Sequence, residues 1–142
     1  MTIMEFLGFV KFAQLLYELR MQFSHGNVRR NQEASDYFRQ LSVAMEAVVE
    51  SLRENQVPRI SGNEMNTLIH AFPTKTKHVF SKKDASEKRA LLADAAATAK
   101  TLDAYILENT PSDSSEREQQ LAVLERITGH CRALAGILSK PA

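Results

Sequence analysis

The chain has 142 residues, of which 44% are hydrophobic and 25% are charged, with a formal net charge of +1. These values are ordinary for one globular domain, so we predict a single domain over residues 1–142. The small net charge argues against a nucleic-acid binder that relies on overall positive charge. The single cysteine, Cys131, excludes an internal disulfide and favours a reducing compartment, so the expected location is the cytoplasm.

The most apolar stretch covers residues 3–23, which contain four of the seven phenylalanines. Its polar side chains are spaced by three, four or six residues, so they form one narrow stripe on a helix. Charged residues interrupt the stretch, which argues against a signal peptide and against a transmembrane span. A helix that is apolar over most of its circumference must be covered, so we place it at the centre of the fold. The residues of the polar stripe are Glu5, Lys11, Gln14, Glu18 and Gln22.

A second, amphipathic helix is predicted over residues 30–55. Pro58 follows it, and Ser61 with Glu64 matches a capping box, which predicts that a short third helix begins there and ends before Pro73. Residues 74–80 could add another turn or two. The apolar positions that recur every three or four residues in the second helix are Ala34, Tyr37, Leu41, Ala44, Val48 and Leu52.

A fourth, alanine-rich helix is predicted over residues 85–108, and a fifth between Ser115 and Pro141. Gly129 and Gly136 each weaken the fifth helix by about 1 kcal/mol, so we interpret them as marking a close helix crossing. No segment alternates with the period of two typical of strands. The predicted fold class is all-α: an antiparallel four-helix-type bundle of four long helices and one short helix, with the apolar N-terminal helix at its centre.

The apolar faces of these helices predict one shared core. Cys131 lies on the apolar face of the last helix, which favours a core thiol over a reactive one. The side chains that we expect to be largely buried are Phe9, Leu16, Leu41, Val48, Leu92, Leu102, Leu124 and Leu134.

The sequence contains no arrangement of residues typical of catalysis or metal binding. Its four histidines match no metal-ligand spacing, and there is no Glu-x-x-His pair of the kind found in di-iron bundles. Glycine-rich phosphate loops, GxSxG and Walker patterns are also missing. We therefore predict a protein that is not an enzyme, with no catalytic residue, no cofactor, no metal and no small-molecule substrate.

One segment has an unusual local charge. Residues 74–89 carry six Lys or Arg against two Asp or Glu, a net charge of +4. A phosphate-bearing partner such as a lipid headgroup would suit this charge, although a solvated loop is the preferred interpretation. Phe80 is the only aromatic ring in the segment, so stacking on bases is not expected and nucleic acid is disfavoured as a partner. The candidate anion, lipid or partner contacts are Lys75, Lys77, Lys82, Lys83, Arg29 and Arg30.

The run EASDYFRQLS at residues 33–42, followed by Pro58, Glu64-Met65 and Ala71-Phe72-Pro73, resembles uncharacterised all-helical domains of bacterial, notably cyanobacterial, proteins. These are effector or adaptor regions of conflict and defence systems. The resemblance covers residues 29–74 and implies a signalling adaptor domain. Its expected partner is another protein or a second copy of the chain, bound through the exposed side of the second helix or through the basic segment.

The overall plan also resembles the HeLo and mixed-lineage-kinase-like four-helix domains of cell-death proteins, in which an apolar N-terminal helix leads a bundle that engages membranes. This resemblance implies an alternative function. In it, residues 3–23 and the basic segment 75–89 together bind an anionic membrane. Burial in the core remains the preferred interpretation of the first helix, ahead of release to a bilayer and of a dimer interface.

Overall fold

The computed structural model describes residues 7–25, 30–54, 56, 58–76, 79 and 114–139, and the regular structure within these ranges is entirely helical. The prediction of an all-α fold is confirmed for this part of the chain. The helix predicted over residues 85–108 lies outside the described residues. The helices are α1 (Leu7–His25), α2 (Gln32–Arg53), α3 (Arg59–His70), α4 (Phe72–Lys75) and α5 (Ser114–Leu138).

Helix α1 buries one face and exposes the other. The predicted polar stripe is confirmed, because Lys11, Gln14, Glu18 and Gln22 are exposed; Glu5 lies outside the described residues. Among the described helices, α1 packs mainly against α5. The buried face consists of Phe9, Phe12, Ala13, Leu15, Leu16, Leu19 and Phe23.

Helix α2 begins as its sequence predicts, within two residues. Asn31 is the N-cap, and its side-chain oxygen accepts a hydrogen bond of 3.0 Å from the backbone N–H of Ala34. Glu33 in the first turn adds a negative charge at the positive end of the helix dipole. At the other end, the backbone N–H of Glu54 donates to the carbonyl of Glu50. All six apolar positions predicted for this helix are buried.

Helices α2 and α5 pack side by side in opposite directions. At one end, the backbone N–H of Asn31 donates to the carbonyl of Leu138 at 3.0 Å. One turn further on, the buried hydroxyl of Ser35 donates to the carbonyl of Ala135 at 2.7 Å. Arg53, at the far end of α2, forms an ion pair with Glu125 in the first half of α5. Among the described helices, α2 and α5 share the largest contact.

The predicted start of the third helix is wrong. Helix α3 begins at Arg59, its N-cap is Pro58, and no side chain caps it, so Ser61 lies inside the first turn. The backbone N–H of Gly62 donates to the carbonyl of Pro58 at 2.7 Å, which is the first bond of the helix. A proline needs no partner for a backbone N–H, and its restricted φ suits a helix start, so the helix begins before the capping-box serine.

Pro73 lies in the first turn of a short helix that follows the end of α3 at His70. Ala71 separates α3 from α4, and the proline occupies the first turn of α4, where its missing N–H costs nothing. The hydroxyl of Thr76 donates to the carbonyl of Phe72 at 2.5 Å and closes this turn. The Phe72 ring contacts Phe12, Tyr37 and Phe38 edge to face, at 6.1–6.2 Å between ring centroids. These rings join α1, α2 and α4.

The predicted core is confirmed wherever the structure describes it. Phe9, Leu16, Leu41, Val48, Leu124 and Leu134 are all fully buried, while Leu92 and Leu102 lie outside the described residues. Cys131 is fully buried as well.

The two glycines in α5 do not mark a close crossing between the helices that the structure describes, so for these helices that interpretation is wrong. Gly129 and Gly136 are exposed, and a Cβ added at either position would meet no described residue within 4 Å. Gly129 borders an open recess beside α2.

Candidate interaction surfaces

Two of the six predicted contact residues lie in the described part of the chain. Lys75 is the last residue of α4 and is half exposed; its Nζ atom is 4.0 Å from a carboxylate oxygen of Glu33. Arg30 is exposed just before the N-cap of α2. Both cations therefore border the first turn of α2. The other four, Arg29, Lys77, Lys82 and Lys83, lie outside the described residues.

Within the described part of the chain, Lys75 lies beside acidic side chains. A shallow recess of about 430 Å³ beside it is lined by Glu33, Asp36, Tyr37 and Gln40. Glu33 is the carboxylate that pairs with Lys75, whereas Asp36 pairs with Arg39. Sequence reasoning missed this pairing because Glu33 and Lys75 are brought together only by the packing of α4 beside α2.

The exposed side of α2 forms a second recess with α3, which we call the α2–α3 groove. It has a volume of about 410 Å³ and is lined by Asp36, Arg39, Gln40, Val43 and Glu64. Asp36 and Arg39 form an ion pair of 3.2 Å along its edge. Val43 is 60% exposed, because it falls opposite the apolar positions that α2 presents to α5.

The first turn of α3 exposes a further apolar side chain. Ile60 is 86% exposed, the highest exposure of any large hydrophobic residue in the described ranges. The sequence signal for it was available in principle, since Ile60 lies off the apolar edge formed by Met65, Leu68 and Ile69. The sequence prediction did not include it, because the predicted third helix begins at Ser61, one residue after Ile60.

Ion pairs border the outer edge of the contact between α2 and α5. Arg132 pairs with Glu46, and Arg53 pairs with Glu125 and lies 3.8 Å from Glu118. These side chains are 45–65% exposed, so water screens the charges and each pair contributes little to stability. A recess of about 310 Å³ lies among these paired side chains and also borders Glu50.

The contact between α1 and α5 contains a histidine. The Nδ1 atom of His130 is 3.5 Å from an Nη atom of Arg20, and the rings of His130 and Tyr17 meet at 5.7 Å between centroids. Partial burial, followed by repulsion from Arg20 and Arg126, lowers the pKa of His130. The sequence could not have shown this cluster, since Arg20 and His130 are 110 positions apart.

Two buried titratable groups are held in their neutral forms. Burial raises the pKa of the Cys131 thiol, and burial, followed by the nearby Cys131, raises the pKa of the Tyr37 hydroxyl. A thiol that stays protonated is a poor nucleophile and a poor metal ligand. In the described ranges, no three His, Cys, Asp or Glu side chains are grouped as metal ligands would be.

None of the helices in the described ranges has the length and apolar character needed to cross a bilayer. Comparisons with protein-family models, with curated proteins and with solved structures each give no match.

Proposed function

We propose that the chain is a non-enzymatic helical interaction or adaptor domain, whose partner is another protein or a second copy of the chain. The observation that carries this proposal is the α2–α3 groove, where Val43 is exposed between charged and amide side chains. Apolar side chains surrounded by a polar rim are typical of protein–protein contacts. The buried, protonated state of Cys131 adds support, because it removes the one thiol from the surface.

The proposed setting is signalling in a bacterial defence or cell-death system, in the cytoplasm. The resemblance of residues 29–74 to effector and adaptor domains of such systems supports it. These residues include α2 and α3, so the proposed partner surface falls within the part of the chain that carries the resemblance.

The proposed architecture of the complete chain is a single antiparallel four-helix-type bundle, with four long helices, one short helix and the apolar N-terminal helix at its centre. The opposite directions of α2 and α5 support it. The helix predicted over residues 85–108 would be the remaining long helix, joined to α5 by a short loop.

Gene neighbourhood and a binding measurement test the adaptor proposal together. A nuclease, protease or nucleotide-binding ATPase encoded beside this gene would be the expected partner. Calorimetry with that purified protein should show binding, weakened at least tenfold, or about 1.4 kcal/mol, by Val43→Asp. Gln119→Asp, an exposed change on α5, serves as the matched control. Turnover of a substrate by the isolated chain, abolished by a point mutation in a recess, would contradict the proposal.

The alternative is a membrane-engaging bundle that uses the first helix and the basic segment 75–89. It is favoured by one observation: α1 has α5 as its main neighbour among the described helices, so it could leave while α2 and α5 stay paired. Its Phe-rich face could then bury about 1.5–3 kcal/mol per side chain in the interface. The same burial in the core opposes that release.

Liposome flotation with anionic and neutral lipids, at low and high salt, separates the two functions. Membrane engagement requires binding to anionic vesicles at low salt that is lost when Lys75, Lys77, Lys82 and Lys83 are all changed to Gln. Absence of binding, even when Phe9→Asp destabilises the burial of α1, would remove this alternative.

A further inference from the structure

His130 lies between α1 and α5, and its hydrogen bond to α1 depends on the protonation state of its imidazole ring. A guanidinium group can only donate hydrogen bonds, so the contact of 3.5 Å from Arg20 uses Nδ1 of His130 as the acceptor. The proton of the neutral ring then lies on Nε2. The hydrogen bond from Arg20 to His130 therefore requires the neutral form of His130.

The charged groups that face His130 in the described ranges are both cations. Arg20 reaches it from α1, and Arg126 lies one turn earlier on α5. The ring of Tyr17, which is 46% exposed, also meets the imidazole, at an angle of 63°. No carboxylate is among the groups that influence the pKa of His130 there.

Protonation of His130 changes this contact in two ways. It removes the acceptor at Nδ1, and it adds a positive charge beside Arg20. Repulsion between two full charges at this separation exceeds the attraction of a cation for a half-exposed ring, so Tyr17 does not compensate. The bonds that join the ends of α2 and α5, from Asn31 and Ser35, lie elsewhere and are unaffected.

We propose that His130 makes the contact between α1 and α5 sensitive to pH, so that mild acid loosens α1 while α2 and α5 stay packed. The unfolded chain binds this proton at a higher pH than the folded chain does. The stabilisation is therefore complete above about pH 6.5 and is lost as the pH falls through the lower folded-state pKa. This pH sensitivity does not depend on which partner the domain binds.

Hydrogen exchange measured by mass spectrometry at pH 7.5 and 5.5, corrected for intrinsic rates, tests the proposal on the full chain. In the wild type, peptides from α1 should lose protection at pH 5.5 while peptides from α2 keep theirs. In His130→Gln, whose amide oxygen can still accept from Arg20, α1 should stay protected at both pH values. His70→Gln, on an exposed position of α3, should behave as the wild type does.

A second variant covers the case in which His130→Gln folds poorly. Arg20→Gln removes the cation that faces the imidazole, so it should raise the pKa of His130 in an NMR titration and reduce the pH dependence of α1. Equal loss of α1 protection in the wild type and His130→Gln would overturn the proposal. So would an equal loss in every helix, or a wild-type His130 pKa at or above that of the unfolded chain.

Discussion

Tyr37 has a buried hydroxyl that joins two helices. The hydroxyl donates to the carbonyl of Leu68 at 2.5 Å, and the ring packs against Phe38 and Phe72. Because the Leu68 carbonyl also accepts from the N–H of Ala71, Tyr37→Phe leaves no acceptor without a partner. We expect this change to lower the free energy of unfolding by about 0.5–1.5 kcal/mol, measured by urea denaturation.

Tyr17→Phe is the matched control for that prediction. The Tyr17 ring is 46% exposed, so removal of its hydroxyl should change the free energy of unfolding by less than about 0.5 kcal/mol. Equal effects of the two changes would contradict the role given to the bond between Tyr37 and Leu68.

Cys131 is expected to be chemically silent while the chain is folded. The thiol is fully buried and burial raises its pKa above the ordinary value of 9.0. A thiol-specific chromogenic reagent at pH 8 should therefore modify no cysteine in native protein and one in denaturant. The raised pKa also means that the stability it contributes is present below pH 9 and is lost as the unfolded chain ionises above it. Rapid labelling of the native chain would show that the thiol is accessible.

Helix α5 contains two glycines, Gly129 and Gly136, where the described neighbours leave room for a Cβ atom. Since a Cβ at Gly129 or Gly136 meets no described residue within 4 Å, Gly→Ala should act through the entropy of the backbone. Each change is expected to raise the free energy of unfolding by about 0.4–1 kcal/mol. Thermal or urea denaturation followed by circular dichroism measures this effect.

Ala122→Gly is the reverse control for the same helix, because Ala122 is also exposed. It should lower the free energy of unfolding by about 0.5–1 kcal/mol, in the opposite direction to the glycine changes. A loss of stability in Gly129→Ala would mean that another part of the chain contacts that side of α5.

The whole molecule depends on the burial of large side chains far more than on its visible ion pairs. Leu124 is fully buried, so Leu124→Ala should cost about 2–5 kcal/mol of a total stability of about 5–15 kcal/mol. Val43→Ala, at a position that is 60% exposed, should stay within about 0.5 kcal/mol of the wild type. Equilibrium urea denaturation compares them, and similar costs at the two positions would contradict the assignment of the core.

Burial also outweighs the exposed ion pairs between α2 and α5, so these ion pairs do not determine how the two helices pack together. Water screens the attraction between Arg53 and Glu125 and that between Arg132 and Glu46. The hydrogen bond from the Ser35 hydroxyl to the Ala135 carbonyl, in contrast, is buried inside the protein. Burial and internal hydrogen bonds therefore set the antiparallel register of α2 and α5.

Local periodicity was sufficient to predict the four longer described helices and the described core residues that were named from it, but not α4. The spacing of Leu41 and Val48 along α2, and of Leu124 and Leu134 along α5, depends on positions three or four residues apart, which every helix brings to one face. The exposed stripe of α1 follows for the same reason. The start of α3 was missed because two local signals competed, and Pro58 prevailed over the capping serine.

Tertiary structure alone decided how distant residues meet. Glu33 neutralises Lys75, and Arg20 opposes His130, although neither pair shares a local pattern. The outward position of Gly129 likewise depends on where the neighbouring helices lie. Sequence periodicity shows which face of a helix is buried, but it does not say which other helix covers that face. Which helix covers a face also decides which charged groups lie near each other, and so the pKa shifts at each surface, because electrostatic effects depend on distances across the fold.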